Sequence, residues 1–175
     1  IQSTLTKFPY LRKVWNKNTE EERLLGVSLT GIMDNELTNG KKHGLEKTLT
    51  ALREVAVETN KEWAEVLRVP QSTAIPCVKP SGTVSQLVDS SSGIHPRHSS
   101  YYIRTVRGDN KDPLTQFLID SGIPAESDFM KPDTQTVFSF PMKSPKKSVV
   151  RNDMTAIEQL EMWLLYQRHW CEHKP

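Results

Sequence analysis

Cysteine is scarce in this chain: two residues, Cys77 and Cys171, among 175. Two widely spaced thiols exclude a disulfide scaffold and a cysteine-built metal site, and they suit a reducing compartment, here the cytoplasm. Charge of one sign is also lacking. The net charge of +2 gives no basic surface of the kind nucleic-acid binding needs. The densest basic cluster, Lys143, Lys146 and Lys147 beside Pro145, reads as a solvated loop. No apolar run approaches the ~20 residues of a membrane span. The opening Ile1-Gln2-Ser3-Thr4 has neither an initiator Met nor the charged-then-apolar pattern of a signal peptide. Apolar residues are few, at 36%, and the mean hydropathy is -0.54. Such a chain is thin in core residues for one compact domain. Both ends read as cut, as in a piece taken from a larger core.

What is present is a succession of helices and strands without internal repeats. The longest periodic stretch runs from His43 to Arg68. There Leu45, Leu49, Leu52, Val55, Ala56, Thr59, Trp63 and Val66 recur at steps of three and four, which predicts an amphipathic helix with one buried stripe. Pro70 marks its stop. Thr19 with Glu22 predicts a capped short helix over 20–25. Residues 26–33, 72–79, 101–106 and 136–141 read as strands. Val84–Val88 reads as a brief helix, and Asp89-Ser90-Ser91-Ser92-Gly93 as a turn cluster. Asp112-Pro113 starts a helix to about Gly122. Asn152 or Asp153 is expected to cap a long helix reaching about His169, with Glu158 and Glu161 suiting its positive end. Strands alternating with helices define an α/β protein. Trp63, Trp163 and Trp170 fall on helical stripes and are expected in the core, whereas Trp15 is ambiguous.

The chemistry is concentrated in Val78-Lys79-Pro80-Ser81-Gly82-Thr83-Val84-Ser85. A strand enters a tight loop and the loop opens a helix. The first turn of a helix carries unpaired N–H groups and partial positive charge, an arrangement that binds phosphate. Gly82 admits a phosphate where a Cβ would stand. Ser81, Thr83 and Ser85 add hydroxyls, and Pro80 fixes the entry angle. The loop is not a P-loop, for it lacks the Gly-Lys-Ser/Thr ending. On these few residues alone the plainer reading, a helix start with a turn glycine and nothing bound, carries more weight.

The other polar residues carry plainer readings. Cys77 and Cys171 read as small buried groups. His95, between Ile94 and Pro96, either faces a pocket or is a satisfied loop residue, the second being the default. His169 and His173 have the four-residue spacing of a zinc pair, but the second-position Glu of that motif is absent, so no metal is assigned. Arg97, Arg104 and Arg107 could neutralise phosphate, with exposed surface arginines as the default.

The wider context shifts the balance. Pro80-Ser81-Gly82-Thr83-Val84-Ser85-Gln86-Leu87, followed by Ser92-Gly93-Ile94-His95-Pro96-Arg97, resembles the catalytic large chain of ribonucleotide reductases. Upstream, Gly26-Val27-Ser28-Leu29-Thr30-Gly31 is similar to a strand of that family. Downstream, Tyr101-Tyr102-Ile103-Arg104-Thr105-Val106-Arg107-Gly108 and His169-Trp170-Cys171-Glu172-His173-Lys174-Pro175 look most like its adenosylcobalamin-dependent branch, which reduces ribonucleoside triphosphates.

The resemblance implies that residues 1–175 are the C-terminal half of a ten-stranded α/β barrel, with no separate second domain. It implies adenosylcobalamin as cofactor and a thioredoxin-type reductant. It implies a thiyl radical that takes the ribose 3′ hydrogen during 2′ reduction. Ser81, Gly82, Thr83, Val84 and Ser85 would hold the substrate phosphates, with Pro80 and His95 beside the pocket. The radical cysteine, on an Asn-Pro-Cys-Gly-Glu-like loop, and the reducing pair are not in this sequence, so no catalytic residue is assigned. The rival reading is a non-catalytic nucleotide or phosphate-binding module, and a third is a purely structural barrel piece.

Overall fold

The computed structural model describes residues 4–79 and 81–173. The chain divides into two compact units, Ile1–Arg97 with Lys147–Pro175, and His98–Lys146.

The first unit begins with helix α1, Lys13–Glu22. The helix expected over 20–25 is thus displaced toward the N-terminus. Thr19 does not cap it: its hydroxyl donates to the Trp15 carbonyl one turn back, 2.8 Å away, a bond open to a threonine inside a helix. The chain leaves α1 through Arg23 in the left-handed region (φ 44°). Strands β1, Val27–Ser28, and β2, Pro76–Cys77, pair in parallel. Both are much shorter than the stretches 26–33 and 72–79 that suggested them. After Ser28 the chain turns at Gly31 (φ 73°) into a 3-10 turn, Ile32–Asp34, which ends any extended pairing.

Parallel strands require a crossover, and helix α2, Leu45–Leu67, supplies it. It starts after Gly44 (φ 91°) and closes on Arg68 (φ 54°), within two residues of its expected bounds. Helix α3, Val84–Leu87, is a single turn. Helix α5, Ala156–His169, is capped by Thr155 and not by Asn152 or Asp153. The Thr155 hydroxyl accepts from the Glu158 N–H (3.3 Å) and Glu158 Oε2 accepts from the Thr155 N–H (2.7 Å). Residues 151–153 form a separate 3-10 turn in which Asp153 accepts from the Val150 N–H. The Thr155 donors hold the Glu158 carboxyl below the usual carboxylate range.

The core of this unit joins Ile32, Met33, Leu45, Leu49, Ile94, Val149, Met162, Tyr166, Trp170 and Cys171. Tyr166 donates its hydroxyl to the Thr38 carbonyl at 2.8 Å, and burial pushes its pKa well above the ordinary value. Trp170 is buried as expected, but Trp63 and Trp163 are not: they are 58% and 45% exposed. On α2 only Leu45, Leu49 and Ala64 are buried, while Val55 and Val66 stand out in solvent. The reason is length. The 23 residues of α2 span about 35 Å and the 14 of α5 about 21 Å. His169, at the end of α5, meets Thr50, and Glu172 just beyond meets Arg53. The distal half of the predicted stripe therefore has no covering helix among the described residues.

The second unit holds strand β3, Tyr101–Asp109, helix α4, Pro113–Asp120, strand β4, Ala125–Ser127, and strand β5, Gln135–Lys143. The antiparallel order is β3-β5-β4, with Tyr101 opposite Lys143 and Ala125 opposite Phe138. Asp112 caps α4 by accepting from the Leu114 N–H, with Pro113 at the first position. Gly108 lets α4 lie close on β3: a Cβ there would come 2.4 Å from Thr115 Oγ1. Asp128 is buried and accepts from Arg107 Nε and from the N–H groups of Met130 and Lys131. Arg107 beside it, with those two N–H groups, holds its carboxyl below the ordinary range.

Candidate phosphate loop

The loop after β2 lies in the first unit. Pro80 falls outside the described residues. Lys79 is tied by its N–H to the Ser28 hydroxyl (3.0 Å), so the end of β1 holds the loop's entry. Ser81 is fixed from three sides. Its hydroxyl lies 3.1 Å from the Thr30 hydroxyl and 3.3 Å from that of Ser92, and accepts from the Gly93 N–H at 3.2 Å. The Ser81 carbonyl accepts from the Ser92 and Ser85 hydroxyls, each at 2.9 Å. Ser85 is fully buried. Two of the three loop hydroxyls are therefore engaged in shaping the loop.

Gly82, Thr83 and Val84 are exposed. Among the described residues, no acceptor pairs with their backbone N–H groups. These are the orphan donors of a helix start. With one turn in α3, the donors themselves matter more than the helix dipole. Gly82 does not need a left-handed backbone, and a Cβ placed on it would meet nothing within 4 Å. Space above the loop is open.

Behind the loop, the turn cluster 89–93 is clamped by Arg97, expected only as a surface arginine or a phosphate neutraliser, and by Asp34, which the sequence did not single out. Asp89 takes a left-handed conformation (φ 45°). Asp34, from the 3-10 turn, accepts from the Ser91 N–H at 2.7 Å and receives both prongs of Arg97, Nε to Oδ1 and Nη2 to Oδ2, each 2.9 Å. Arg97 also donates Nη1 to Asp89 Oδ1 (3.0 Å) and Nη2 to the Asp89 carbonyl (2.5 Å). The Arg97 side chain is 4% exposed. It is neither a surface arginine nor one facing the open side of the loop. Asp34 carries no local signal, since its partner lies 63 positions away.

His95 is exposed and, with Val78, Gly93, Ile94, Trp163, Tyr166 and Gln167, lines a cavity of about 200 Å³. Cys77 and Cys171 are both buried. His169 Nδ1 pairs with the Thr50 hydroxyl, while His173 Nε2 lies 2.7 and 2.9 Å from the Leu25 and Ala74 carbonyls, so the two rings do not converge. Arg104 and Arg107 belong to the second unit, where Arg107 serves Asp128 and Arg104 Nε is buried without a partner among the described residues. No group of three or more His, Cys, Asp or Glu among the described residues is arranged to hold a metal. No described helix is long and apolar enough to cross a membrane.

These α/β elements superpose on a crystal structure of a B12-dependent, class II ribonucleotide reductase. The TM-score is 0.82 with 24% identity, over 98% of this chain and 28% of that one, so the fold is that of a segment of a class II ribonucleotide reductase. No family model matches the chain. Among curated proteins it is 29% identical over 171 residues to the adenosylcobalamin-dependent ribonucleoside-triphosphate reductase of Euglena gracilis, across 98% of this chain and 23% of the relative. It is 31% identical over 169 residues to the probable enzyme of the same name from Dictyostelium discoideum, across 97% of this chain and 22% of the relative. It is 28% identical over 190 residues to the enzyme of Lactobacillus gasseri, across 93% and 25%. The chain is thus homologous to a segment of adenosylcobalamin-dependent ribonucleoside-triphosphate reductases and spans about a quarter of their length.

The relatives depend, by name, on adenosylcobalamin. The cavities beside His95 and beside His43, of about 200 and 570 Å³, are too small to enclose a cobalamin by themselves. None of the described residues is assigned to that group, and no chemical step is routed through it.

Proposed function

We propose that this chain is the part of a ribonucleoside-triphosphate reductase that holds the substrate phosphates. Residues 1–175 belong, in this reading, to the C-terminal half of a ten-stranded catalytic barrel, acting in the cytoplasm with a thioredoxin-type dithiol as reductant. Overall, the ribose 2′ hydroxyl is replaced by hydrogen and leaves as water, while the dithiol is oxidised to a disulfide. The observation that carries the reading is the set of N–H groups on Gly82, Thr83 and Val84, without an acceptor among the described residues and exposed on a loop whose hydroxyls fix its shape. Oriented N–H donors of this kind bind phosphate oxygens. Thr83 adds its hydroxyl. Ser81 and Ser85 keep the loop in form, and His95 borders the adjoining pocket.

The test is Gly82→Val in the full-length protein. A Cβ at this position has no contact within 4 Å among the described residues, so the fold is expected to persist while the phosphate approach is blocked. The expected result is weaker binding of the ribonucleoside triphosphate, about tenfold or more, since charge-assisted hydrogen bonds are lost. Unchanged substrate affinity and turnover would overturn the assignment.

A further inference from the structure

We propose that Arg97 is a positioning residue for phosphate recognition: from behind the loop, it fixes the turn that holds Ser81, without touching the substrate. This rests on the phosphate-loop reading above.

The geometry forms one continuous chain of bonds. Arg97 grips the Asp34 carboxylate with two parallel bonds and Asp89 through both side chain and carbonyl. A planar guanidinium can do this and an ammonium cannot, because its donors form a rigid fork. Asp34 in turn holds the Ser91 N–H, and the Ser91 hydroxyl accepts from the Met33 N–H. The Ser91 carbonyl accepts from the Gly31 N–H at 2.9 Å. The next two residues, Ser92 and Gly93, grip Ser81. At the other end Ser90 donates its N–H to the Ser85 carbonyl at 2.8 Å, which ties the turn to α3.

Asp89, just past α3, is in the left-handed region, uncommon outside glycine but open to a single aspartate. Arg97 holds Asp89 through its carbonyl and carboxylate. The Arg97 side chain is 4% exposed, whereas Gly82, Thr83 and Val84, whose N–H groups would meet phosphate, are exposed. Arg97 therefore acts on phosphate affinity through loop shape.

The experiment measures equilibrium binding of a ribonucleoside triphosphate, and of the same nucleoside without phosphates, to the full-length protein. Arg97→Lys keeps the charge and loses the fork. It is expected to weaken triphosphate binding about tenfold while nucleoside affinity stays within about twofold and the number of sites per chain is unchanged. Asp89→Asn is the second variant. Its side chain is 63% exposed and asparagine accepts the left-handed backbone, so it folds even where the lysine variant does not, and then decides the matter alone. It is expected to weaken triphosphate binding about threefold with the same selectivity for phosphate.

Equal weakening of both ligands, or fewer sites at unchanged affinity, would show a merely structural role and overturn the proposal. Weakening by Gly82→Val with no effect of Arg97→Lys or Asp89→Asn would overturn it and leave the phosphate loop standing. An ineffective Gly82→Val would remove both.

Discussion

Trp170 donates its indole N–H to the backbone carbonyl of Cys77 across 2.7 Å in the core. The bond joins the end of α5 to β2, 93 positions away, and gives the carbonyl at the strand's end an acceptor role where the two-residue ladder stops. A tryptophan suits the position because its bulk fills the core and its one donor reaches a buried acceptor. Trp170→Phe keeps most of the apolar contact and orphans the carbonyl. Loss of about 1–3 kcal/mol of stability is expected, read as a lowered urea midpoint with an unchanged slope. An unchanged midpoint would mean that water takes the place of the indole.

Close packing in the second unit gives a sharper test. A Cβ on Gly108 would stand 2.4 Å from Thr115 Oγ1 and 3.2 Å from a Phe138 ring carbon. Gly108→Ala should destabilise this unit by about 1–3 kcal/mol through overpacking. Thr115→Ala removes the nearer obstacle, so the double variant should recover part of the loss. A thermal double-mutant cycle measures this coupling, and strict additivity of the two changes would contradict the packing argument.

The acid sensitivity of the same unit should depend on Asp128. Arg107 and two backbone N–H groups lower its folded pKa below the ordinary 3.8. The stability this gives is present in full above that value, where the unfolded carboxyl is also ionised. It is lost as pH falls through the lower folded value, because protonation then removes the pairing. Asp128→Asn should therefore be less stable than the parent near neutrality, with the difference shrinking below about pH 4. Denaturant titrations at several pH values check this, and a difference independent of pH across that window would contradict it.

The elements legible in the sequence were those with local punctuation or period. Helix α2 could be bounded because its apolar repeat runs unbroken and Pro70 follows it. Strands β3 and β5 alternate, and Asp112-Pro113 announces α4. Strand β4 was missed because all three of its residues are exposed and carry no alternation. Thr155 was missed as a cap because Asn152 and Asp153 are equally good capping residues just before it. Periodicity told which face of α2 is apolar but not how far a partner extends along it, so Trp63 was wrongly placed in the core. At the candidate site, the loop itself was legible as a short-range motif. The Asp34–Arg97 clamp was not, because a 63-residue separation leaves no trace in local pattern.

The staple at residue 172 has a consequence for synthesis. The carboxylate of Glu172 accepts from the Ile75 N–H at 2.7 Å, and its own N–H donates to the Pro76 carbonyl at 2.9 Å. These bonds flank a parallel pair only two residues long. On the ribosome, residue 172 emerges 97 positions after residue 75, a delay of roughly 5 to 20 s at ordinary rates of elongation. For that interval β1 and β2 have each other but not their clasp. The second unit's hairpin, whose strands lie closer in sequence, can form meanwhile, so the two units are expected to mature in the order opposite to that in which they begin to be made.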